Sequence, residues 1–334
     1  MVSFGAYASR PDTRVLAACE LEAYAWPEDR TETTAFQIVD VAEGMTNASF
    51  HLIDGARGVC VADQQNKYFV RPLPPPGRVM EYDETALLIG GMTNHWHFLI
   101  NFVTRLAAAR ALLGPDLDGA RTVLVHVRTG PQKAFLERLF PDVCFREIPD
   151  DPTVAHRFRR LLYPSFPHNV RLYPELLGRV RAAALAAFGD DPAFVADSPK
   201  RIFVDRDPNI PRRRLADREV ALQVLKARDV VPVLNERYDL AGQVALFAGA
   251  HFVAGLHGAG MANILFCRPG TPVLILDYKW PSEMYGLARM TGLRPLCLIA
   301  QPQPDPDREP RMRDLKVAPK QLDAGLAALL DMTP

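Results

Sequence analysis

The stretch Gly255-Leu256-His257-Gly258-Ala259-Gly260-Met261-Ala262-Asn263 decides how this chain is interpreted. A strand-like run, residues 250–254, leads into it, and a short apolar helix is predicted to follow it. Gly258 and Gly260 let backbone N–H groups approach a ligand closely, and the helix that follows adds the partial positive charge of its N-terminus. The stretch therefore predicts an anion site, with phosphate as the natural ligand. A tight turn between a buried strand and a buried helix explains the same residues and stays open as an alternative.

Two common phosphate-binding motifs do not fit this stretch. No Lys-Ser or Lys-Thr pair follows the glycines, which argues against a P-loop. The glycines are spaced G-x-x-G-x-G, whereas the dinucleotide-binding turn has the spacing G-x-G-x-x-G. A dinucleotide oxidoreductase is therefore disfavoured.

Length and composition limit the class of protein. The 334 residues exceed the usual size of one compact domain and predict two. Lysine plus arginine equals aspartate plus glutamate at 39 each, so no overall charge favours nucleic acid as a partner. No run approaches the roughly 20 apolar residues of a transmembrane segment, and residues 1–14 lack a signal-peptide core. We therefore expect a cytoplasmic protein, in keeping with five cysteines that lack disulfide or zinc-site spacing, namely Cys19, Cys60, Cys144, Cys267 and Cys297.

Strands alternate with helices in both halves of the chain, after a β-rich entry at residues 36–82. In the first half the predicted elements are strand 86–90, helix 93–113, strand 121–127, helix 132–140 and strand 143–148. Residues 150–174, rich in proline and arginine, show no periodicity, and an Ala-rich helix at 174–188 is predicted to link the halves. In the second half we predict strands at 201–205, 230–234, 252–255, 272–276 and 295–299, with helices between them at 215–227, 240–248, 259–266 and 282–291.

This alternation predicts an α/β fold with two Rossmann-like domains that face each other across a cleft. The predicted domains are residues 1–185, residues 186–312, and a C-terminal segment, residues 313–334, whose helix packs back toward the first domain. Ligands of such sheets bind at the carboxyl ends of the strands, where the glycine-rich stretch is predicted to lie.

A basic segment follows the first strand of the second half. Asp205-Arg206-Asp207 leads into Arg212-Arg213-Arg214, a cluster suited to neutralising a diphosphate or, alternatively, a solvated loop. The D-x-D pattern is also a metal-binding motif of some sugar-nucleotide enzymes. Because residues 116–118 and 305–307 show the same pattern, we predict no metal site from it.

Several segments together resemble glycosyltransferase family 61, over about residues 201–298. They are Arg201-Ile-Phe-Val-Asp-Arg206, the basic run 212–214, Leu240-Ala-Gly-Gln243-Val-Ala-Leu-Phe-Ala, His257-Gly-Ala-Gly260-Met-Ala-Asn263-Ile-Leu-Phe266 and Pro269-Gly-Thr-Pro-Val-Leu-Ile. Upstream, Asn94-His95-Trp96 and Thr104-Arg105-Leu106 resemble the family's Gly-His-Trp and Pro-Arg-Leu segments.

The resemblance implies a GT-B architecture and an inverting glycosyltransferase that uses a nucleotide-sugar donor, expected to be UDP-linked. The donor is expected in the C-terminal domain and a glycan acceptor on the N-terminal side, without cofactor or essential metal, in polysaccharide biosynthesis. Asn94 and Asp205 depart from the family's glycine and serine. A catalytically inactive nucleotide-sugar or glycan-binding module of the same fold is therefore the alternative.

Inverting transfer needs a base for the acceptor hydroxyl and positive groups for the departing diphosphate. His95 and His97 fall in the first turn of helix 93–113, where the helix N-terminus keeps an imidazole neutral. His97 is predicted opposite the apolar stripe, with Asn101 and Thr104. The resemblance favours His95 as the base, although a capping role explains either histidine.

The predicted donor-binding residues are Arg206, Arg212, Arg213, Arg214, His257, Gly258, Ala259, Gly260, Asn263 and Asp277. The arginines and the loop would hold the diphosphate. Asn263 would either brace the loop or contact the donor, and Asp277, at the end of a predicted strand, would accept hydrogen bonds from ribose or sugar hydroxyls. Gln243 is predicted to orient the loop, and Trp280 is a candidate for stacking on a sugar or base.

Overall fold

A computed structural model describes residues 13–25, 30–47, 51–54, 59–62, 68–72, 75–114, 117–120, 122–125, 130–149, 151–165, 171–189, 198–207, 209, 213–280 and 282–331. The chain forms two compact units. Unit 1 comprises Met1–Ala25 and Thr31–Val180, and unit 2 comprises Trp26–Arg30 and Arg181–Pro334. Both units are mixed α/β, and within the described ranges no sheet closes into a barrel.

Unit 1 contains one large mixed sheet. Its described strands are β1 (Thr13–Ala25), β2 (Arg30–Asn47), β3 (Leu52–Asp54), β4 (Val59–Ala62), β5 (Tyr68–Pro72), β6 (Arg78–Gly90), β7 (Thr122–Val125), β8 (Phe145–Glu147), β9 (Val154–Pro164) and β10 (Arg171–Leu172). The order is β5-β4-β3-β2-β9-β6-β7-β8, and β1 pairs with β2 and β10. Strands β9, β6, β7 and β8 run parallel, whereas β2 pairs antiparallel with β9.

Strand β9 lies where the sequence predicted irregular structure, so that prediction was wrong. The strand contains several arginines that mask its apolar alternation. Across the sheet, Arg157 Nη1 lies 2.8 Å from Glu81 Oε1, and Arg160 Nη2 lies 3.0 Å from Asp40 Oδ2. These cross-strand pairs neutralise charges that would otherwise disfavour a strand in the middle of a sheet.

The helices of unit 1 are a π-helix, His97–Val103, that continues into α1 (Thr104–Leu113), then α2 (Gly130–Leu139) and α3 (Pro174–Phe188), which crosses into unit 2. The predicted helix 93–113 is thus present, but its first turns are wider than α-helical. Asn101 and Thr104, which were predicted opposite the apolar residues of this helix, are buried as well. A helix buried all round belongs to the interior of its unit.

Unit 2 is built on a five-stranded parallel sheet. Its strands are β11 (Arg201–Val204), β12 (Val231–Val233), β13 (Phe252–Leu256), β14 (Pro272–Asp277) and β15 (Arg294–Ile299), in the order β12-β11-β13-β14-β15. All five predicted strands are present, and their neighbours pair in parallel. The elements between and after them are α4 (Arg218–Ala227), α5 (Leu240–Gly249), a 3₁₀ helix (Ala259–Phe266), α6 (Glu283–Met290), the short pair β16 (Gln301–Pro302) and β17 (Leu315–Lys316), and α7 (Pro319–Leu330).

The C-terminal helix α7 completes the core of unit 2. Leu322 and Leu326 are fully buried and cluster with side chains of α4, β13 and β14. A Cβ added at Gly325 would lie 2.7 Å from Leu298 Cδ1, so the helix packs closely on β15. Its buried leucines thus belong to the core of unit 2, and the predicted packing of this helix toward the N-terminal domain stays a prediction.

The strand order of unit 2 reverses direction between β11 and β13, because β12 lies on one side of β11 and the later strands lie on the other. In open parallel sheets, ligands bind at the carboxyl ends of the strands beside such a reversal. This edge carries Arg206 after β11 and His257 after β13. Within the described ranges, no helix is long and apolar enough to cross a bilayer.

Candidate functional site

The glycine-rich loop leaves β13 and folds back over the sheet. A Cβ added at Gly255 would lie 3.0 Å from Val204 Cβ and would also meet Met261, which returns over the strand. The Met261 N–H donates to Gly258 O at 3.0 Å and closes the turn. Ala259 and Gly260 are half-buried, so their backbone lies near the surface of the loop. The predicted strand–loop–helix context is present, with a 3₁₀ rather than an α-helix after the loop.

His257 and Asp277 form a hydrogen-bonded pair at this edge. His257 Nδ1 lies 2.8 Å from Asp277 Oδ2, and the Asp277 side chain is fully buried. The other carboxylate oxygen accepts from the backbone N–H of Tyr278 at 2.7 Å. Burial alone raises the pKa of Asp277, but the hydrogen bond and charge interaction with His257 outweigh it, and the pKa falls below its usual value.

Arg206 lies against the loop. Its backbone N–H donates to Asp205 Oδ1 at 2.8 Å, and its Nη2 donates to the backbone oxygen of His257 at 3.4 Å. A Cβ added at Gly258 would lie 3.1 Å from Arg206 Cζ and closer still to Nη2. The guanidinium thus occupies the space that any side chain at position 258 would need. Arg206 and His257, from two neighbouring strands, place two nitrogen-rich groups on one loop.

The two acids beside Arg206 have internal partners. Asp205 is buried and accepts from Arg218 Nη2 at 2.7 Å, and Asp207 Oδ1 accepts from the backbone N–H of Asn209 at 2.8 Å. In the part of the chain that the structure describes, no group of three or more His, Cys, Asp or Glu side chains is placed to hold a metal ion. Asp205, where the family pattern has serine, therefore has a structural explanation: it anchors Arg218 and orients the residue that follows it.

The structure describes two of the three arginines in the basic run after β11. Arg212 lies outside the described residues. Arg213 has a left-handed backbone, with φ of 54°. Arg214 Nη2 donates to Asp314 Oδ2 at 2.8 Å, and its backbone N–H donates to Asp314 Oδ1 at 2.9 Å. The prediction that Arg213 and Arg214 bind the diphosphate stays a prediction. Arg214 forms an ion pair with Asp314 in the structure.

A chain of amides braces the loop from behind. Asn263 is fully buried and donates through Nδ2 to Gln243 Oε1 at 2.7 Å. Gln243 Nε2 in turn donates to the backbone oxygens of Asn235 and Tyr238, each at 3.1 Å. Asn235 Nδ2 donates to Gly260 O at 3.0 Å. These contacts are compatible with the bracing alternative for Asn263, and the orienting role of Gln243 stays a prediction.

Asn235 is a site residue that the sequence prediction missed. A Cβ added at Gly260 would lie 2.9 Å from Asn235 Nδ2, so the position of this side chain requires a glycine at 260. The sequence position of Asn235 could have indicated it. Asn235 directly follows the predicted strand 230–234 and therefore lies at the ligand edge of the sheet.

Trp280 is a large exposed side chain near the same edge. It lies three residues beyond Asp277, its exposed fraction is 57%, and it packs edge-on against Tyr285 with ring centroids 4.7 Å apart. The ring of Tyr278 packs edge-on against His257 at 5.3 Å. The predicted stacking role of Trp280 stays a prediction.

The second predicted group of site residues lies in unit 1. His95 is half-buried and stands at the start of the helix. The backbone N–H of His97 donates to Asn94 Oδ1 at 3.3 Å, so Asn94 caps the helix where the family pattern has glycine. His97 Nδ1 lies 2.9 Å from Asn101 Oδ1. An amide oxygen only accepts, so Nδ1 carries the proton and the lone pair of the neutral ring lies on Nε2.

The comparisons with known proteins bear on both groups of residues. Residues 95–274, more than half of the chain, match the family model described as Glycosyltransferase 61. The match begins at His95, includes Arg206 and the whole glycine-rich loop, and ends within β14. A search of the curated proteins found no match.

Proposed function

Because the chain belongs to glycosyltransferase family 61 and is a glycosyltransferase, we propose that it transfers a sugar from a nucleotide-sugar donor to a glycan or polysaccharide hydroxyl, with inversion. Membership of the family implies a donor and an acceptor. The UDP form of the donor, a role in polysaccharide biosynthesis, a cytoplasmic location and independence of metal are proposed with it, from the sequence.

The observation that carries the donor site is the meeting of Arg206 and His257 on the loop at Gly258. Arginine presents several donors in a fixed plane, which suits a diphosphate, and we propose that the imidazole of His257, on the same loop, adds a further nitrogen. Both groups follow neighbouring strands at the point where the strand order reverses. These features support unit 2 as the donor-binding, Rossmann-like domain of a GT-B architecture, and we propose unit 1 as the acceptor-side domain.

In the proposed reaction the acceptor oxygen attacks the anomeric carbon as the bond from that carbon to the β-phosphate oxygen breaks. The electron pair of the broken bond stays on the phosphate, where Arg206 and His257 stabilise the charge. The acceptor proton passes to a base, for which we propose His95. A base from unit 1 and a diphosphate site in unit 2 give each unit one chemical task.

Binding of nucleoside diphosphates tests the donor site. Arg206→Ala is expected to weaken the best binder among UDP, GDP, CDP and ADP by roughly tenfold or more, since a charge-assisted pair is lost. Arg228→Ala is the control, because it removes an arginine of the same unit at the far end of α4, where Arg228 pairs with Asp323. Isothermal titration measures both variants. Absence of binding by all four diphosphates would contradict the proposal.

Activity tests the base. His95→Ala is expected to abolish transfer while diphosphate binding stays intact, because the acceptor proton loses its receiver. His97→Ala serves as the comparison on the same helix. Normal transfer by His95→Ala would refute the assignment. Donor binding without transfer or donor hydrolysis in the unmodified protein would instead indicate the inactive sugar-nucleotide-binding module.

A further inference from the structure

We infer that Asp277 is a positioning residue, which holds His257 with Nδ1–H turned inward and Nε2–H presented to the departing diphosphate. The inference rests on the proposed function, because the diphosphate is the group that Nε2 would meet. It assigns Asp277 a different task from direct contact with donor hydroxyls.

The orientation of the ring follows from the partner of Nδ1. An ionised carboxylate has no hydrogen to give, so the hydrogen of the 2.8 Å contact belongs to Nδ1 of His257. The Asp277 side chain is fully buried, whereas the exposed fraction of the His257 side chain is 12%. The imidazole thus leads from a buried carboxylate toward the surface of the loop, and Nε2 is its remaining polar atom.

The backbone of His257 allows little rearrangement. Its N–H donates to Leu276 O at 2.8 Å, which ties it to β14, and its carbonyl oxygen accepts from Arg206. The edge of the ring faces Tyr278 with the planes nearly perpendicular, at 88°. The main chain and the ring of His257 are thus both held by other contacts. Replacing the Asp277 carboxylate would therefore change the hydrogen bonding of the imidazole with the least effect on the surrounding packing.

The charges around His257 are of both signs. Asp277 carries the negative charge, and Arg206 approaches from β11 with a positive one. Lys279, two residues beyond Asp277, is paired with Glu283 at 2.7 Å. Because the carboxylate holds Nδ1–H, a second hydrogen on the ring lies on Nε2. With that hydrogen the ring donates a charge-assisted hydrogen bond to a phosphate oxygen that gains negative charge as the glycosidic bond breaks.

The chemical step is balanced without a further reactant. The bond between the anomeric carbon and the β-phosphate oxygen breaks, and its electrons remain on that oxygen. The Nε2–H of His257 donates a hydrogen bond to the oxygen, and Asp277 remains ionised. The acceptor proton goes to the separate base.

A purely structural role for the pair would be to join the ends of β13 and β14. Such a role predicts that Asp277→Asn lowers stability but leaves the pH dependence of ligand binding unchanged. The positioning role predicts a change in that dependence, because the amide replaces the charged acceptor that holds Nδ1–H of His257. The pH profile therefore separates the two.

The experiment uses the full chain with Asp277→Asn, His257→Gln and the charge-conserving Asp277→Glu. Asp323→Asn is the control, since it removes a carboxylate paired with an arginine elsewhere in unit 2. Isothermal titration measures the affinity for the best-binding nucleoside diphosphate and for its phosphate-free nucleoside between about pH 6 and about pH 9. Spectra of ¹⁵N-histidine-labelled protein report the ring, with His257 assigned by its loss in His257→Gln.

In the unmodified protein, affinity for the diphosphate is expected to fall by roughly tenfold as pH rises, while nucleoside affinity stays constant. Asp277→Asn should change this pH dependence and alter the His257 ring signals. Asp277→Glu should restore both. His257→Gln should remove the pH-dependent fall.

An unchanged pH profile and unchanged ring signals in Asp277→Asn would overturn the inference while leaving the proposed function in place. If Asp277→Asn does not fold, a pH profile of His257→Gln that matches the unmodified protein overturns it in the same way. If no nucleoside diphosphate binds at all, the proposed function fails, and the ring spectra show separately whether Asp277 holds the tautomer.

Discussion

Replacing Gly258 by alanine tests the arrangement of the donor site with one methyl group. The added Cβ would lie 3.1 Å from Arg206 Cζ and closer to Nη2, whereas carbon atoms pack at about 3.5–4.0 Å. The guanidinium must therefore move away from the loop. The backbone is not the obstacle, because φ at Gly258 is 167°, an extended conformation that any residue adopts.

We expect the substitution to affect binding far more than stability. The displaced group is the end of a flexible side chain, so the free energy of unfolding should fall by less than about 1 kcal/mol. Affinity for the nucleoside diphosphate should fall by roughly tenfold or more, because the charge-assisted contact of Arg206 is misplaced. Isothermal titration and urea denaturation measure the two quantities on the same preparation.

The double variant tests directly whether Gly258→Ala acts by displacing Arg206. If Gly258→Ala acts by moving Arg206, the two losses of affinity should not add in Gly258→Ala/Arg206→Ala. Gly178→Ala is the control, since an added Cβ there meets nothing within 4 Å. Unchanged affinity in Gly258→Ala, or additive losses in the double variant, would refute the reasoning.

Three further predictions concern stability and are measured by urea denaturation. Arg218→Ala leaves the buried carboxylate of Asp205 without its ion-pair partner and should lower the free energy of unfolding by about 2 kcal/mol. The value is moderate because Arg218 is partly exposed. An unchanged midpoint of the urea transition would contradict this prediction. Leu326→Ala should cost about 2–5 kcal/mol, because this fully buried side chain joins α7 to the core of unit 2; a loss below 1 kcal/mol would show that α7 is dispensable. The folded-state pKa of Asp277 lies below its usual value, so the stability supplied by its pair with His257 is present above the unfolded pKa of about 3.9 and lost as pH falls through the lower folded value. The difference in unfolding free energy between the unmodified protein and Asp277→Asn should shrink below about pH 4, and a constant difference would count against it.

The sheet of unit 2 could be predicted because each of its strands is a short apolar run bounded by turn residues. Strand β14, Pro272–Asp277, is buried throughout, as expected of a parallel strand covered on both faces. Strand β9 in unit 1 could not be predicted in this way, because its arginines become compatible with a central strand only through acids on β2 and β6. A single segment does not reveal partners that lie more than 70 residues away in the chain.

The same limit applies to charges at the site. Arg206, His257 and Asp277 were predicted as separate donor ligands from their places after strands. The structure pairs His257 with Asp277, twenty residues apart, and Arg214 with Asp314, one hundred residues apart. Position at a strand end predicts which residues reach the ligand edge, but the pairing of charges there depends on the register of neighbouring strands.

The glycines of the loop show why the contacts at the site could not be predicted from the sequence alone. From the sequence they were expected to admit a ligand to the backbone. In the fold, Gly258 admits Arg206, Gly260 admits Asn235, and Gly255 admits Met261 and Val204. Each glycine therefore makes room for a side chain of the same unit, and Arg206 is held against the loop. The proposed diphosphate site would be preorganised, because contacts within the unit position its cationic group.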